Sequence, residues 1–339
     1  MSAAWHPRAY RDTLSLAHLT KLPRVLAVTL GTALPPVACW SQDYPQKTVR
    51  MLVPFAPGAA TDVQARLLSG KLQESLGQAF YIDNRPGATG LIAAEMTARA
   101  PADGYTLLFG SASLAVKAAF GEITACDPFK DLVPIAGISL QPQFLIVHTS
   151  VPARSVTDLV ALAKKQPGKL NAASTGAGSL GHLAIEMFNQ LAGVNAVHIP
   201  YKGGNLMMTA LLAGEVDFNF QGAVAAVPFM RLGKVRALAV TSVKRSPVAP
   251  ELPTMESFYK GFDTVNWFAL FVPAGVPAAV VSKLTSAVRK EHKTPQFESY
   301  LTREGLEAFD RTPAELSVHF RREVERYARI IKAMDARSH

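Results

Sequence analysis

From Thr48 onward, short runs of β-branched and apolar residues alternate with segments of helical period, which confines the chain to α/β architectures with largely parallel sheets. Val49 to Phe55 reads as a first buried strand, and Phe80 to Asp83 and Tyr105 to Gly110 as the next two. Between them, Leu68, Leu72 and Leu76 repeat at i+4 in a helix that Thr61 opens, with Gln64 as its capping-box partner and Gly77 as its stop. A shorter helix is expected near Leu91 to Ala98. Phe144 to Thr149, Leu170 to Ser174, Val197 to Tyr201, Val216 to Phe220, Val235 to Thr241 and Trp267 to Pro273 continue the strands. Ser155 with Asp158, and Thr312 with Glu315, form capping boxes, and Pro277 and Pro313 suit first helical positions. Leu183, Met187 and Leu191 make the apolar face of a helix over His182 to Leu191. At 339 residues the chain is long enough for two domains or two lobes, and no long linker divides it.

Two strand-to-helix connections look alike. Val53 to Asp62 and Ala172 to His182 both pass through small residues into a helix. A helix N-terminus presents unpaired N–H groups and the positive end of the dipole, and small residues let an anion approach that backbone. Two such loops facing one cleft would grip a ligand with a carboxylate at each end. The plainer alternative is a pair of ordinary tight turns, common in α/β folds. Gly176, Gly178 and Gly181 also spell GxGxxG, the dinucleotide fingerprint, which wants an acid at the end of the following strand. His198-Ile199-Pro200-Tyr201-Lys202 supplies none, so no cofactor is expected. The same loop can be read as a nucleophile elbow around Ser179, with Asp217 and His319 as partners in the right order. Neither partner has a distinctive setting, and Ser179 as a helix N-cap explains the residue more simply.

The first 43 residues stand apart. Arg8, Arg11, Lys21 and Arg24 precede the apolar stretch Val25 to Leu34, which Pro35 and Pro36 break, in the order of a secretory signal peptide ending near Trp40. Pro36-Val37-Ala38-Cys39 faintly resembles a lipoprotein signal but lacks the Leu three residues before Cys39. Loss of those four bases and Asp12 takes the net charge from +9 to +6. The remaining bases are dispersed, or interleaved with Glu323 and Glu325 near the C-terminus, without the basic stripe and stacking aromatics of a nucleic-acid surface. Cys39 and Cys126 form no CxxC, and no His/Cys cluster has metal-ligand spacing. No metal site and no catalytic residue are expected.

Several blocks in order carry a resemblance. They are Tyr44-Pro45-Gln46-Lys47-Thr48-Val49-Arg50, Pro57-Gly58-Ala59-Ala60-Thr61-Asp62, Asn84-Arg85-Pro86-Gly87-Ala88 and Ala102-Asp103-Gly104-Tyr105-Thr106-Leu107-Leu108. Asp127 to Leu132, Pro167-Gly168-Lys169-Leu170, the Ser179 to His182 loop and Pro200-Tyr201-Lys202-Gly203 follow, then Arg236 to Thr241 and Trp267 to Gly275. Over residues 44 to about 335 the chain resembles the Bug-family periplasmic solute-binding proteins of tripartite tricarboxylate transporters. The resemblance implies a periplasmic-binding-protein-like type II fold, two α/β lobes joined by a two-strand hinge with a ligand cleft between them. It implies residues 44–146 plus 268–339 as one lobe and 147–267 as the other. It implies capture of a small organic acid, through Phe55, Ala59, Ala60, Thr61 and Asp62 of the first loop and Ser174, Thr175, Gly178, Ser179 and His182 of the second. Ser111, Ser113 and Tyr201 join them. The implied partners are the integral membrane subunits of a transporter, with the receptor a periplasmic monomer; an exported sensor subunit would bind its ligand identically. Departures from the pattern are Ala59, where a second glycine is usual and a positive φ would be costly, and Leu114, where a polar residue or His is usual. His148 and His198 read as ordinary strand residues.

Overall fold

A computed structural model describes residues 44–121 and 126–335, with side-chain burial to residue 332. The expected signal segment, including Cys39, lies outside them.

The strand β1 (Val49–Val53) sits inside a sheet, parallel to β2 (Phe80–Asn84) on one side and β3 (Thr106–Ser111) on the other. Helices α1 (Ala60–Leu76) and α2 (Leu91–Ala98) make the crossovers. Val49, Met51 and Val53 bury against Ala65, Leu68 and Leu72 of α1, while Leu52 faces the other way, toward α2 and α3 (Ala112–Ala119). A sheet covered on both faces reads as continuous apolar sequence, which is why these strands were visible.

The sheets are mixed, not largely parallel. Strand β4 (Leu132–Gln141) leaves the first sheet and, after Pro142 alone, continues as β5 (Gln143–His148) in a second sheet. There β5 lies between β8 (Phe218–Gly222) and β9 (Val235–Val240), antiparallel to both, while β6 (Asn171–Ser174) runs parallel to β7 (Val197–Pro200) and β8. The chain returns through β10 (Asn266–Pro273), antiparallel between β3 and β4, and the edge strand β11 (Glu307–Ala308) closes the first sheet. A strand that arrives from another sheet runs against those made by local βα crossovers, so each crossing introduces antiparallel pairs. Pro142 has no N–H to give a ladder, and its carbonyl accepts the Ala223 N–H (3.1 Å) instead. The two sheets therefore separate there.

In the second sheet, Leu145 and Val147 face α4 (Val156–Lys165) and α5 (Leu180–Ala192), whereas Phe144 and Ile146 face α6 (Gly204–Ala213) and α7 (Ala223–Arg231). Helices α8 (Ala278–Glu291), α9 (Pro295–Glu304) and α10 (Pro313–Asp335) follow β10.

Local signals fared unevenly. Ser155 Oγ accepts the Asp158 N–H (3.0 Å), and Thr312 and Glu315 bond reciprocally. The Thr61–Gln64 box does not form: α1 already starts at Ala60, Thr61 is inside it, and Gln64 Oε1 accepts from Ser139 Oγ. Pro277 is the N-cap of α8, one position before the helix, and Leu191 is 40% exposed, so the buried face of α5 runs through Met187, Phe188 and Ala192 and leaves Leu191 out.

Candidate functional site

Where β1, β3, β6 and β8 end, five helices begin around one cavity of about 100 Å³. Its wall takes Phe55 and Ala59 from the loop before α1, Ala60 and Thr61 from its first turn, Ser111 from the end of β3, Ser113 from α3, and Gly204, Asn205 and Met207 from α6. Thr175, Leu180 and Gly181 lead into α5, and Phe220, Gln221, Gly222 and Ala225 lead into α7. Gln141, Gln143, Asn266 and Phe268, on the two crossing segments, form the rest. The residues of the wall carry no charge.

The helix starts differ in what satisfies them. The Ser179 hydroxyl caps α5 by accepting the His182 N–H (3.2 Å). The first N–H of α3 goes to Asn266 Oδ1 (3.2 Å), and that of α7 to Pro142 O. No side chain caps α1 or α6. Their leading N–H groups, with the positive dipole ends behind them, are the open donors of this cavity. Gly58 of the first loop comes close to α6: a Cβ on it would lie 3.7 Å from Asn205 Nδ2. Gly58 also carries the loop's positive φ (79°), which leaves Ala59 extended at −67° and unstrained.

The glutamines add a second kind of group. Gln143 Nε2 donates to Phe220 O (3.3 Å), which fixes the amide so that its Oε1 is the free end. That oxygen, Gln221 Oε1 and Gln141 Nε2 are buried without a partner in the protein. Orphaned buried amide atoms cost about 1–3 kcal/mol each, so a cavity lined with them is built to be filled by something polar.

Seven of the thirteen residues expected in the site line this cavity: Phe55, Ala59, Ala60, Thr61, Ser111, Ser113 and Thr175. Asp62, Ser174, Gly178, Ser179, His182 and Tyr201 do not, and each is engaged elsewhere. Asp62 points back into its own lobe, taking the Gly58 N–H, Asn84 Nδ2 and Arg66 Nε, each at 2.9 Å. Burial pushes its carboxyl up, but the hydrogen bonds from Arg66, Gly58 and Asn84 outweigh this and hold it below the usual carboxylate range. Ser174 Oγ lies 2.6 Å from His198 Nε2 and accepts the Gly176 N–H, and the Tyr201 N–H donates to Ser174 O. His182 Nδ1 accepts the Gly178 N–H (3.2 Å), and its ring stacks on His198 at 4.1 Å. His198 is thus part of the second loop's support and not an ordinary strand residue. Burial lowers its basicity.

The hydrolase arrangement is not assembled. Asp217 Oδ2 accepts the Asn171 N–H (2.7 Å), at the opposite end of the second sheet from Ser179, and His319 packs between the rings of Trp267 and Phe309. Among the described residues no His, Cys, Asp or Glu cluster could hold a metal ion. Sequence reasoning missed Gln141, Gln143, Gln221, Asn205 and Asn266. The available signal was a polar side chain within, or at the end of, an otherwise apolar strand, as at Gln143 and Gln221.

Two mixed α/β lobes, joined by two crossing segments with a cleft at the strand ends, define a periplasmic-binding-protein-like fold of type II. The chain belongs to the tripartite tricarboxylate transporter family receptors, whose profile matches residues 64–336. Its relatives place it with the Bug proteins: it is 32% identical to BugT of Bordetella pertussis over 323 residues, 94% of this chain and 99% of that one. Similar solved structures include an R. palustris protein with adipate (TM-score 0.81, 33% identity, 86% of this chain and 99% of that one). Another is MatC from Rhodopseudomonas palustris with bound malate (TM-score 0.80, 32% identity, 85% and 100%). A third is the periplasmic binding protein BugD (TM-score 0.82, 32% identity, 86% and 99%).

Proposed function

We propose that this protein is a periplasmic receptor that captures a small organic acid without converting it and passes it to the integral membrane subunits of a tripartite tricarboxylate transporter. The observation that carries this reading is the pair of uncapped helix N-termini, α1 and α6, opening into a cavity with an uncharged wall. An anion there meets backbone N–H groups and dipole ends, while the Asp62 carboxylate of the same turn faces away, bonded to Gly58, Asn84 and Arg66. The adipate and malate in two similar structures are of the same chemical class. One carboxylate of the ligand sits at Ala59, Ala60 and Thr61, and its remainder meets Ser111, Ser113, Thr175, Asn205 and Gln143. The two lobes, expected as 44–146 plus 268–339 and as 147–267, exchange strands at Pro142 and between Val240 and Asn266, and the N-terminal segment to about Trp40 is removed on export. The working form is a monomer.

The test is a thermal-shift panel of aliphatic mono-, di- and tricarboxylates on the mature protein, with each hit incubated and checked for turnover. A true ligand at 100 times its Kd stabilises the native state by about 2.7 kcal/mol and is recovered unchanged. A panel without a single shift, or a hit that is consumed, refutes the reading. Intact mass of protein recovered from a periplasmic extract checks the export step.

A further inference from the structure

The crossing segments separate two cavities. Gln141, Gln143, Asn266 and Phe268 line the cleft, while Leu140, Pro142, Val265 and Trp267, their neighbours in sequence, line a cavity of about 340 Å³ on the opposite side. This is the period-two alternation of extended chain, placed where the lobes join. Three atoms of that second cavity's wall are buried without a partner: Trp267 Nε1, His319 Nε2 and Asp263 Oδ1. Lys244, Arg311 and Arg322 also line it, and among the described residues none of the three forms an ion pair. Arg326 is satisfied by Glu323 (2.8 Å) and by Asp263 O (2.7 Å). Three carboxylates share the wall: Glu323 is held by Arg326, Asp263 has its pKa raised by burial, and Glu307 forms no ion pair among the described residues. Arg311 donates to Asp310 O (3.5 Å) and lies over the Phe309 ring.

We propose that this rear face of the hinge is a second binding site, for a compact multivalent oxyanion such as a phosphate or a small polycarboxylate, and that its occupancy opposes closure of the cleft. The buried Trp267 Nε1–H lacks an acceptor, and the exposed Lys244, Arg311 and Arg322 put three cationic donors around the same cavity for an oxyanion to accept from. Lys244 follows β9 of the second sheet, whereas Arg311 and Arg322 lie on the segment that packs on β4 of the first. An anion between them ties the rear edges of the two lobes together. Closing the cleft about the crossing segments widens the rear cavity, so the two ligands compete through the hinge, and the coupling is reciprocal.

Inorganic phosphate is the probe, titrated calorimetrically at fixed ionic strength into the mature wild type, Ala60→Leu and Arg311→Gln/Arg322→Gln. Phosphate should bind the wild type and Ala60→Leu equally, and the double variant at least tenfold more weakly. Saturating phosphate should weaken the best cleft carboxylate at least threefold in the wild type and leave its affinity for the double variant unchanged. Three results overturn the site: no phosphate binding to the wild type, loss of binding in Ala60→Leu (which would put the ion in the cleft), or full binding by the double variant. Undiminished carboxylate affinity in saturating phosphate overturns the coupling. Failure of every carboxylate to bind would sink the receptor reading while leaving the phosphate result to stand.

Discussion

Asp62 is where the first loop is held, and removing its carboxylate should be felt twice. The side chain is 3% exposed and accepts three hydrogen bonds, from the Gly58 N–H, Asn84 Nδ2 and Arg66 Nε. In Asp62→Ala the Arg66 guanidinium, more than half exposed, turns to water and costs little. The other two donors are partly buried. Each loses a hydrogen bond to a charged acceptor, worth roughly 1.5–3 kcal/mol. The variant should therefore be about 3–6 kcal/mol less stable in urea unfolding at pH 7, a large share of the ~5–15 kcal/mol that holds a domain together. Freed from its anchor, the Gly58–Ala60 turn no longer presents the α1 N–H groups in a fixed place, so the affinity for the ligand should fall at least tenfold. The pH dependence carries a sign. Because the folded pKa of Asp62 is depressed, its contribution is fully present above the unfolded value of about 3.9 and is lost as pH falls through the lower folded value. The gap between wild type and Asp62→Ala should thus be constant from pH 8 to about 5 and shrink below about 4. A gap under about 1 kcal/mol at pH 7, or one undiminished at pH 3, would refute this account.

Ala60→Leu places a branched side chain at the open end of α1 and should weaken the ligand at least a hundredfold by calorimetry, with a circular-dichroism spectrum like that of the wild type. Ser179→Ala removes a helix cap outside the cavity wall, so it should cost about 1 kcal/mol of stability and change the ligand Kd by less than threefold. Burial lowers the basicity of His198, His292 and His319, at His292 against the pull of Asp310 and the Ile138 carbonyl, and at His319 against Glu323. Their neutral forms belong to the fold, so the associated stability is present above the unfolded value of about 6.5 and lost as pH falls through it toward the folded values. Urea midpoints at pH 7.5 and 5.5 should show that loss, and His319→Leu should reduce it.

The parts of the fold legible in the sequence were those with local causes. A strand covered on both faces must be apolar throughout, so β1, β3 and β10 announce themselves, and Ser155 and Thr312 mark helix starts because a cap needs only its own turn. The mixed direction of the sheets was not legible. It depends on which sheet the chain enters after Pro142, and no window of sequence around that residue records it. Two strand-to-helix turns and the family resemblance pointed to seven residues that line the cavity. The rest of the second loop turns away from the cavity wall. Ser179 and His182 are polar residues at a helix start and Ser174 ends the strand before it, and such residues serve the turn as readily as a ligand. Only three-dimensional packing shows which way they turn.

The same distinction explains how the proposed site would hold an anion without containing a charge. A Lys or Arg in the wall would need a counter-charge whenever the cleft is empty, or would pay a desolvation penalty as the lobes close. Backbone N–H groups at helix starts carry only partial charge, are fixed by the helix behind them, and are solvated by water at little cost when the cleft is open. An uncharged wall therefore favours a receptor that must both bind and let go. The requirement falls on backbone position, which explains why small residues, Gly58, Ala59, Ala60 and Gly204, stand where a sequence scan for charged ligand-binding side chains finds nothing. It also sets what a substitution can do: adding bulk at Ala60 blocks the N–H groups themselves, whereas removing a hydroxyl at Ser111, Ser113 or Thr175 deletes one neutral hydrogen bond, about 0.5–1.5 kcal/mol. If alanine at one of these three cost as much ligand affinity as leucine at position 60, the side chains and not the helix ends would be holding the anion.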